Sequence, residues 1–200
     1  IIAACQNKQV PDTWNVGDSC MMAFGKKNYQ IDIIGKNHDD YADGSGKAPL
    51  TFQMHTTYAT QYKMNGAEDN SCGWKNCLVR TSNAFPALKK VMPAEVVAAL
   101  KAVTKKTTAG GASSAIDTTE DTLFLLSEIE VQGTRTYSYA GEGTQYEYYK
   151  TAANRKKNRA WYLRSPRLNS TTCFDRTGWS GEADWSVASE VDGIAAAWCF

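Results

Sequence analysis

The chain has 200 residues, of which 11% are aromatic and 22% charged, and its formal net charge at pH 7 is +1. These values are typical of a globular domain with a sizeable core, and they argue against a disordered chain or a broadly basic nucleic-acid-binding surface. No stretch approaches the ~20 consecutive apolar residues of a membrane span, so we expect no membrane insertion. Because no repeat or low-complexity linker divides the chain, a single domain is predicted over residues 1–200.

The first quarter of the chain is predicted to consist of turns and short strands. Residues 1–27 contain several turn signals and predict an irregular lead-in with at most one short strand. Alternating apolar residues from Tyr29 to Ile34 predict a strand that ends at Gly35, and residues 51–55 predict another. The loop between them is acidic and rich in glycine. Its spacing does not fit a calcium-binding loop, so no metal site is expected there.

Two helices are predicted in the middle of the chain. The first covers residues 80–91, with Pro86 near its start. The second opens at Pro93, a residue favoured in the first turn, and it ends in residues 107–114 at a pair of glycines. One apolar face of this second helix is formed by Val96, Val97, Leu100 and Val103.

The remaining elements are predicted to be short. They are a strand over residues 123–126, a helical turn over 127–132, a strand over 136–140, a short helix over 145–150, and strands over 161–165, 173–175, 185–188 and 194–200. The basic run at residues 155–159 is predicted to be a solvated turn.

Six cysteines leave the redox state open: Cys5, Cys20, Cys72, Cys77, Cys173 and Cys199. They are compatible with three disulfides or with six buried thiols. If bridges form, Cys72 with Cys77 and Cys173 with Cys199 are the first pairs to consider. No zinc site or other cofactor is expected, because no C-x-x-C pair occurs and the chain has only two histidines.

The C-terminal segment, residues 160–200, alternates between two kinds of position. Small and apolar residues form a frame, and the gaps between them hold aromatic, charged and hydroxyl side chains without a strand or helix period. Such gaps are typical of exposed loop positions on a rigid scaffold. We expect the frame to bury Trp161, Leu163, Ile194, Ala196 and Trp198.

The frame carries a resemblance to a known family. Its parts are the run Trp-Tyr-Leu-Arg-Ser-Pro at residues 161–166, Cys-Phe at 173–174, and Gly-Ile-Ala-Ala-Ala-Trp-Cys-Phe at 193–200. It resembles the C-terminal region of C-type-lectin-fold variable proteins, whose genes are targets of diversity-generating retroelements in phages, archaeal viruses and bacteria. Residues 33–52, 123–133 and 137–149 also resemble the body of that group. The resemblance implies an α+β, C-type-lectin-like fold, with twisted antiparallel sheets, two or three flanking helices and a loop-rich C-terminal binding face.

The resemblance also implies a function. The chain is expected to be a receptor-recognition protein on a virion or cell surface, binding a protein ligand on a host or target cell, or secondly a glycan. The expected ligand-binding residues are the gap positions: Arg167, Asn169, Thr172, Phe174, Arg176, Trp179, Glu182, Asp184, Trp185, Ser186, Ser189, Glu190 and Asp192. Among them, Phe174, Trp179 and Trp185 are predicted to be exposed aromatic anchors.

Sequence motifs for catalysis are missing. Ser180 lies in Gly-Trp-Ser-Gly, which is not the nucleophile elbow of a hydrolase, and no glycine-rich phosphate loop is present. We therefore expect a protein that is not an enzyme. Two alternatives stay open: a structural domain of a phage fibre or cell-surface protein with no variable face, and an enzyme of the formylglycine-generating type, which shares the lectin fold and uses cysteines.

Overall fold

Three antiparallel sheets and six short helices make up the fold in the computed structural model, which describes residues 1–200. The strands are β1 (Ser19–Phe24), β2 (Lys27–Lys36), β3 (Leu50–Met54), β4 (Val103–Gly110), β5 (Ser113–Asp121), β6 (Trp161–Pro166), β7 (Cys173–Thr177), β8 (Ala183–Val187) and β9 (Ala197–Cys199). The helices are α1 (Ile2–Gln6), α2 (Gly73–Asn76), α3 (Leu78–Thr81), α4 (Ala84–Val91), α5 (Ala94–Ala99) and α6 (Glu128–Gln132). Short 3-10 turns cover Glu147–Lys150 and Ala152–Arg155. The architecture is therefore α+β with few helices.

The sheets have the orders β1-β2-β3-β9, β4-β5 and β6-β7-β8. The first sheet joins both ends of the chain, because β9 pairs with β3 through Phe52 opposite Trp198. The last forty residues thus contribute a strand to the main sheet and also build a separate three-stranded sheet. Side chains from all three sheets belong to one connected hydrophobic cluster that runs from Cys5 to Phe200.

Local sequence explains the element that supports the C-terminal sheet. Helix α6 begins with a capping box, in which the Ser127 hydroxyl accepts from the Glu130 amide and the Glu130 carboxylate accepts from the Ser127 amide. It ends at Gly133, whose φ of 74° is left-handed and favours glycine. The predicted helical turn over 127–132 is confirmed.

The predicted frame of the C-terminal segment is confirmed as core. Trp161, Leu163, Ile194, Ala196 and Trp198 are all buried. The strands predicted from Tyr29 and over residues 51–55 are also present, as β2 and β3. These segments were predictable because β-branched and aromatic residues sit in them with few competing helix formers.

The central helices differ from their prediction. The helix expected over 80–91 is divided into α3 and α4, and Asn83 caps the second part. The helix opened by Pro93 ends at Ala99, so Val103 lies in β4 instead of on a helical face. Residues 107–114 form the β4–β5 hairpin. Its Gly110 approaches another loop so closely that a Cβ there would lie 2.0 Å from the carbonyl oxygen of Asn70.

Other expectations also need correction. Residues 123–126 are buried but outside any strand, with Phe124 making a single bridge to Ala197. Residues 136–140 form a loop, and the N-terminal lead-in contains helix α1, which was not expected. The basic run is only partly solvated. Lys157 is buried, and its Nζ donates to the carbonyl oxygens of Met54 and His55, at 2.8 and 3.0 Å.

All six cysteines are free thiols. The longest helix, α4, has eight residues, and none of the helices has the length and apolar character needed to cross a membrane.

Candidate ligand-binding face

The β6-β7-β8 sheet is the platform on which the predicted site residues lie. In the β7–β8 ladder Phe174 lies opposite Ser186, Asp175 opposite Trp185, and Arg176 opposite Asp184. Residues directly opposite each other in an antiparallel pair share a face, and successive residues alternate between faces. Phe174 and Ser186 therefore point together into the core, whereas Asp175 and Trp185 share the other face.

The predicted site residues differ widely in exposure. Exposed are Asn169, Trp179, Glu182, Trp185 and Glu190; partly exposed are Arg167, Thr172, Arg176, Asp184 and Ser189; buried are Phe174, Ser186 and Asp192. The prediction that Phe174 is an exposed anchor is wrong, because its register in β7 directs the ring into the hydrophobic cluster.

The structure also separates these residues in space. Trp179 and Glu182 belong to the turn that joins β7 to β8, where the Glu182 carboxylate accepts from the amide and hydroxyl of Ser180. Asn169, Thr172, Ser189 and Glu190 lie at the opposite end of the sheet, in the loops before β7 and after β8. One continuous patch of all thirteen residues is therefore not formed.

Arg176 belongs to a closed ion-pair group. Its Nε lies 2.7 Å from Asp184 Oδ2, and its Nη1 lies 2.8 Å from Asp192 Oδ2. Asp192 is buried and also forms a bridge with Tyr62, so this group attaches the C-terminal loop to the body of the protein. These three residues satisfy one another and leave little capacity for a ligand.

Arg167 has a different environment. Its guanidinium carbon lies 4.1 Å from the ring centroid of Trp185 and 5.4 Å from that of Tyr137. Both distances are within the range of a cation–π contact. The backbone amide of Arg167 donates to the carbonyl of Cys173 at 3.0 Å, which fixes the start of its side chain. We call Arg167, Tyr137 and Trp185 the arginine stack.

A buried carboxylate holds Tyr137 in place. Glu128, at the start of α6, accepts hydrogen bonds from the amides of Thr136, Tyr137 and Ser138, each at 2.8 to 3.0 Å. It also accepts from the Ser138 hydroxyl at 2.7 Å. The Glu128 side chain thus orders the loop over residues 136–140, which was predicted to be a strand. This order fixes the position in which Tyr137 contacts Arg167.

Asp175 lies beneath Trp185 on the same face of the sheet and is fully buried. Neither of its carboxylate oxygens has a hydrogen-bond partner. Burial, together with the charges of Glu128 and Glu142, raises the pKa of Asp175 well above its ordinary value, and the opposing charge of Arg167 offsets only part of this rise. The carboxyl group therefore keeps its proton at pH values where an exposed aspartate is ionised.

The sequence did not point to Tyr137, Glu128 or Asp175. The alternation of Tyr137 and Tyr139 predicted a strand, and it gave no indication that Tyr137 would contact Arg167. Asp175 gave no signal, because its burial depends on the register of β7 against β8 and on the loop that covers that face.

A second charged centre lies inside the protein, and we call it the interior cluster: Asp39, Lys105, Glu130, Tyr146 and Arg164. Lys105 Nζ lies 2.6 Å from Asp39 Oδ1, 2.9 Å from Glu130 Oε1 and 3.0 Å from the Tyr146 hydroxyl. Arg164 donates to both oxygens of Glu130, making a bidentate pair. A polar cavity of about 470 Å³ adjoins the cluster.

The two carboxylates of the interior cluster are held in their charged forms, whereas burial raises the pKa of Tyr146 well above its ordinary value and keeps its hydroxyl protonated. Burial opposes the charge of Asp39, but the charge and hydrogen bond of Lys105 outweigh it and lower the pKa of Asp39 to about 2. Burial also opposes the charge of Glu130, and Arg164 and Lys105 together keep its pKa below the ordinary value. The pairing of the charges thus compensates for their desolvation.

No curated protein matches the chain, and no solved structure matches it. One family matches, described as a domain of unknown function (DUF6273), and the match covers residues 50–198. The matched region contains strand β3 and most of β9 from the main sheet, the β4–β5 hairpin, the whole β6-β7-β8 platform and every residue of the interior cluster except Asp39. Because the match extends over well more than half of the sequence, the chain belongs to this family.

Proposed function

We propose that the chain is a ligand-binding protein of C-type-lectin architecture whose residues 160–200 present the binding face. The observation that carries this proposal is the division of that segment into a buried frame and exposed aromatic side chains. Of the six tryptophans, Trp74, Trp161 and Trp198 are fully buried, whereas Trp179 and Trp185 are 66% and 37% exposed. Both exposed tryptophans belong to the segment whose frame resembles the variable proteins of retroelements.

Exposed aromatic side chains on a rigid sheet suit recognition. Tryptophan, tyrosine and arginine contribute most of the binding energy at protein interfaces. Exposed substitutions usually change stability by less than about 0.5 kcal/mol, so such positions tolerate variation without unfolding the protein. This tolerance explains physically how the codons of the gap positions could vary while those of the frame stay constant.

The proposed partner is a protein on the surface of a host or target cell, with a glycan as the second class. The chain would then be displayed on a virion or a cell surface. We also propose that the gene is a target of retroelement-directed mutagenesis, because the frame of residues 160–200 resembles that of the retroelement variable proteins along most of its length.

The proposal assigns no catalytic role, and the thiols support this. Burial raises the pKa of Cys5 and Cys72 to about 11, that of Cys77 to about 12, and that of Cys199 well above its ordinary value. Thiols with raised pKa values are poor nucleophiles at neutral pH. The charged groups of the interior cluster likewise pair with one another, which suits a structural role better than proton transfer.

DNA sequencing around the gene tests the proposal. We expect a reverse transcriptase gene and a near-copy of the 3′ end that differs mainly at adenines. Homologous copies from one genome should differ at gap positions between Pro166 and Gly193. Copies that vary elsewhere, without a nearby reverse transcriptase, would favour the structural domain of a fibre and contradict a diversified binding face.

A further inference from the structure

We propose that Arg167 is the anchor of the binding face and that it binds a carboxylate in an acidic segment of a protein partner. This inference rests on the proposed function of residues 160–200 as a ligand-binding face. It names the chemistry that the face recognises and the one side chain on which recognition depends.

The N–H groups of the Arg167 guanidinium have no hydrogen-bond partner within the protein. Arg80, Arg164 and Arg176 each donate to a carboxylate within the protein. The guanidinium of Arg167 instead contacts two aromatic rings and makes no hydrogen bond or ion pair with the rest of the chain. A ring covers the flat face of a guanidinium and leaves the N–H groups at its edge open. That edge matches the geometry of a carboxylate.

The guanidinium is also held in position before a ligand arrives. Trp185 is fixed by the β7–β8 ladder, and Tyr137 by the hydrogen bonds of Glu128 to the neighbouring amides. The main chain ties the two sides together, because the Leu168 amide donates to the Tyr137 carbonyl. A side chain that is already ordered loses less conformational entropy on binding, which favours affinity.

The charges on this face also favour an anionic ligand. Asp175 lies opposite Trp185 in the β7–β8 ladder, and its oxygens form no hydrogen bond with Arg167, although the two groups are near enough to interact electrostatically. Since Asp175 is buried without a partner, its neutral form is favoured, and the positive charge of Arg167 is left without a counter-ion on this face. An incoming carboxylate supplies that counter-ion.

The surroundings favour a peptide over an acidic sugar. Val187 is partly exposed and shares a face of β8 with Trp185, and the partly exposed Leu168 follows Arg167 in the chain. The site thus combines a cation with apolar and aromatic surface, as suits an acidic residue beside an apolar one. A sugar would need several hydrogen-bonding side chains around its hydroxyl groups, whereas two of the three side chains of the stack present mainly aromatic surface.

The experiment is a titration of the full chain, labelled with ¹⁵N, followed through the arginine Nε–Hε signals. The probe is the peptide acetyl-Glu-Glu-Leu-Glu-Glu-amide, and the control is its glutamine counterpart. We expect the Arg167 signal to shift with the acidic peptide and not with the neutral one. Arg167→Ala should weaken binding at least about tenfold, because a charge-assisted bond is lost.

Matched variants separate the roles of the stack. Arg167→Lys keeps the charge but loses the planar fork, so its affinity should fall between those of wild type and Arg167→Ala. Trp185→Ala should weaken binding and Trp185→Phe should restore most of it, since a ring is again present to hold the guanidinium. Met21→Ala removes an exposed apolar side chain from β1, outside residues 160–200, and should leave affinity unchanged. Urea unfolding checks that each variant is folded.

Three outcomes would overturn the inference. Peptide affinity that is unchanged in Arg167→Ala would show that the carboxylates bind elsewhere. Tighter binding of the corresponding lysine peptide, especially to Arg167→Ala, would show that Arg167 merely fills a site for a ligand cation. Tighter binding of hexagalacturonate than of the peptide would assign the site to an acidic sugar. None of these results depends on the genes next to this one. The proposed function, which is tested by DNA sequencing around the gene, can therefore hold or fail independently of this inference.

Discussion

The protein contains two groups of charged side chains that differ in how their charges are satisfied. In the interior cluster Lys105 and Arg164 pair with Asp39 and Glu130 at hydrogen-bond distance, and all four side chains are buried. In the arginine stack the guanidinium lies between two rings, partly exposed, without a carboxylate. Both sites use an arginine from the same stretch of chain, at the two ends of the run from Arg164 to Arg167.

The difference indicates which site is structural and which is available for binding. Buried charges that satisfy one another hold β4, α6 and β6 in a fixed arrangement, and a ligand would have to break those pairs to enter. A charge that is ordered but unpaired at the surface offers its full hydrogen-bonding capacity to a partner. We therefore expect the interior cluster to stabilise the fold, and the unpaired charge of Arg167 supports the proposal that the arginine stack binds a ligand.

Glu130→Gln tests the first half of this comparison and should have the largest effect. The substitution keeps the size of the side chain but removes the charge that faces both Lys105 and Arg164. Breaking a buried pair in this way typically costs about 3 to 5 kcal/mol, because the remaining charges are uncompensated. Urea unfolding measures the change in the free energy of unfolding.

Glu147→Gln is the matched control for that experiment. Glu147 pairs with Lys150, and both side chains are more than half exposed. The control should change stability by less than about 0.5 kcal/mol. If the two variants unfold at the same urea concentration, the interior cluster does not stabilise the fold and its polar cavity becomes a candidate site.

Trp198→Ala compares the buried frame with the exposed face. Trp198 is fully buried and packs near Phe24 and Phe52, with ring centroids 6.5 Å away in each case. Removing a core tryptophan should cost about 3 to 5 kcal/mol. Trp179→Ala should stay within about 0.5 kcal/mol, since that side chain is mostly exposed. Thermal unfolding of both variants checks the contrast, and equal losses would contradict the division into frame and face.

The sequence was sufficient to predict the frame but not the site. Trp161, Leu163 and Trp198 were predictable as core because large apolar residues in a regular run have few other stable locations. The three-stranded platform was also expected in outline. Which gap residues face outward was not predictable, because that depends on strand register. A shift of one residue would exchange Phe174 and Asp175 between the two faces.

The β4–β5 hairpin and the arginine stack show a second limit of prediction from the sequence. Residues 103–121 are rich in threonine and lysine without an apolar alternation, so the helix before them seemed to continue. The stack joins Tyr137, Arg167 and Trp185, which lie far apart in sequence and meet only through tertiary packing. Contacts of this kind depend on loops ordered by single side chains such as Glu128.

Arg176→Ala and Arg167→Ala form the next pair and should have smaller effects. Arg176 is the ion-pair partner of the buried Asp192, so its loss should cost about 1 to 3 kcal/mol. Arg167 contacts only two rings within the protein, and its loss should cost less than about 1 kcal/mol. Denaturant unfolding of the two variants measures both values. A loss of stability in Arg167→Ala as large as that in Arg176→Ala would make the stack a structural feature.

Asp175→Asn should have the smallest effect in acid and a growing one as the pH rises. Burial raises the pKa of Asp175 in the folded protein, so the folded state keeps a proton that the unfolded chain loses near pH 4. Unfolding then releases a proton, and the free energy of unfolding falls as the pH increases between the two pKa values. The asparagine side chain has nearly the same shape as aspartate and does not titrate. Asp175→Asn should therefore abolish this fall in the free energy of unfolding.

The stability of Asp175→Asn should therefore match that of the wild type below about pH 4 and exceed it increasingly as the pH rises above that value. Urea unfolding across this range gives the difference directly, and other titrating groups cancel in the subtraction. Asp12→Asn makes the same chemical change at an exposed position and is the control. Parallel curves for Asp175→Asn and wild type would mean that Asp175 is ionised in the folded state. Its charge would then neutralise Arg167, and the arginine stack would no longer differ from the interior cluster.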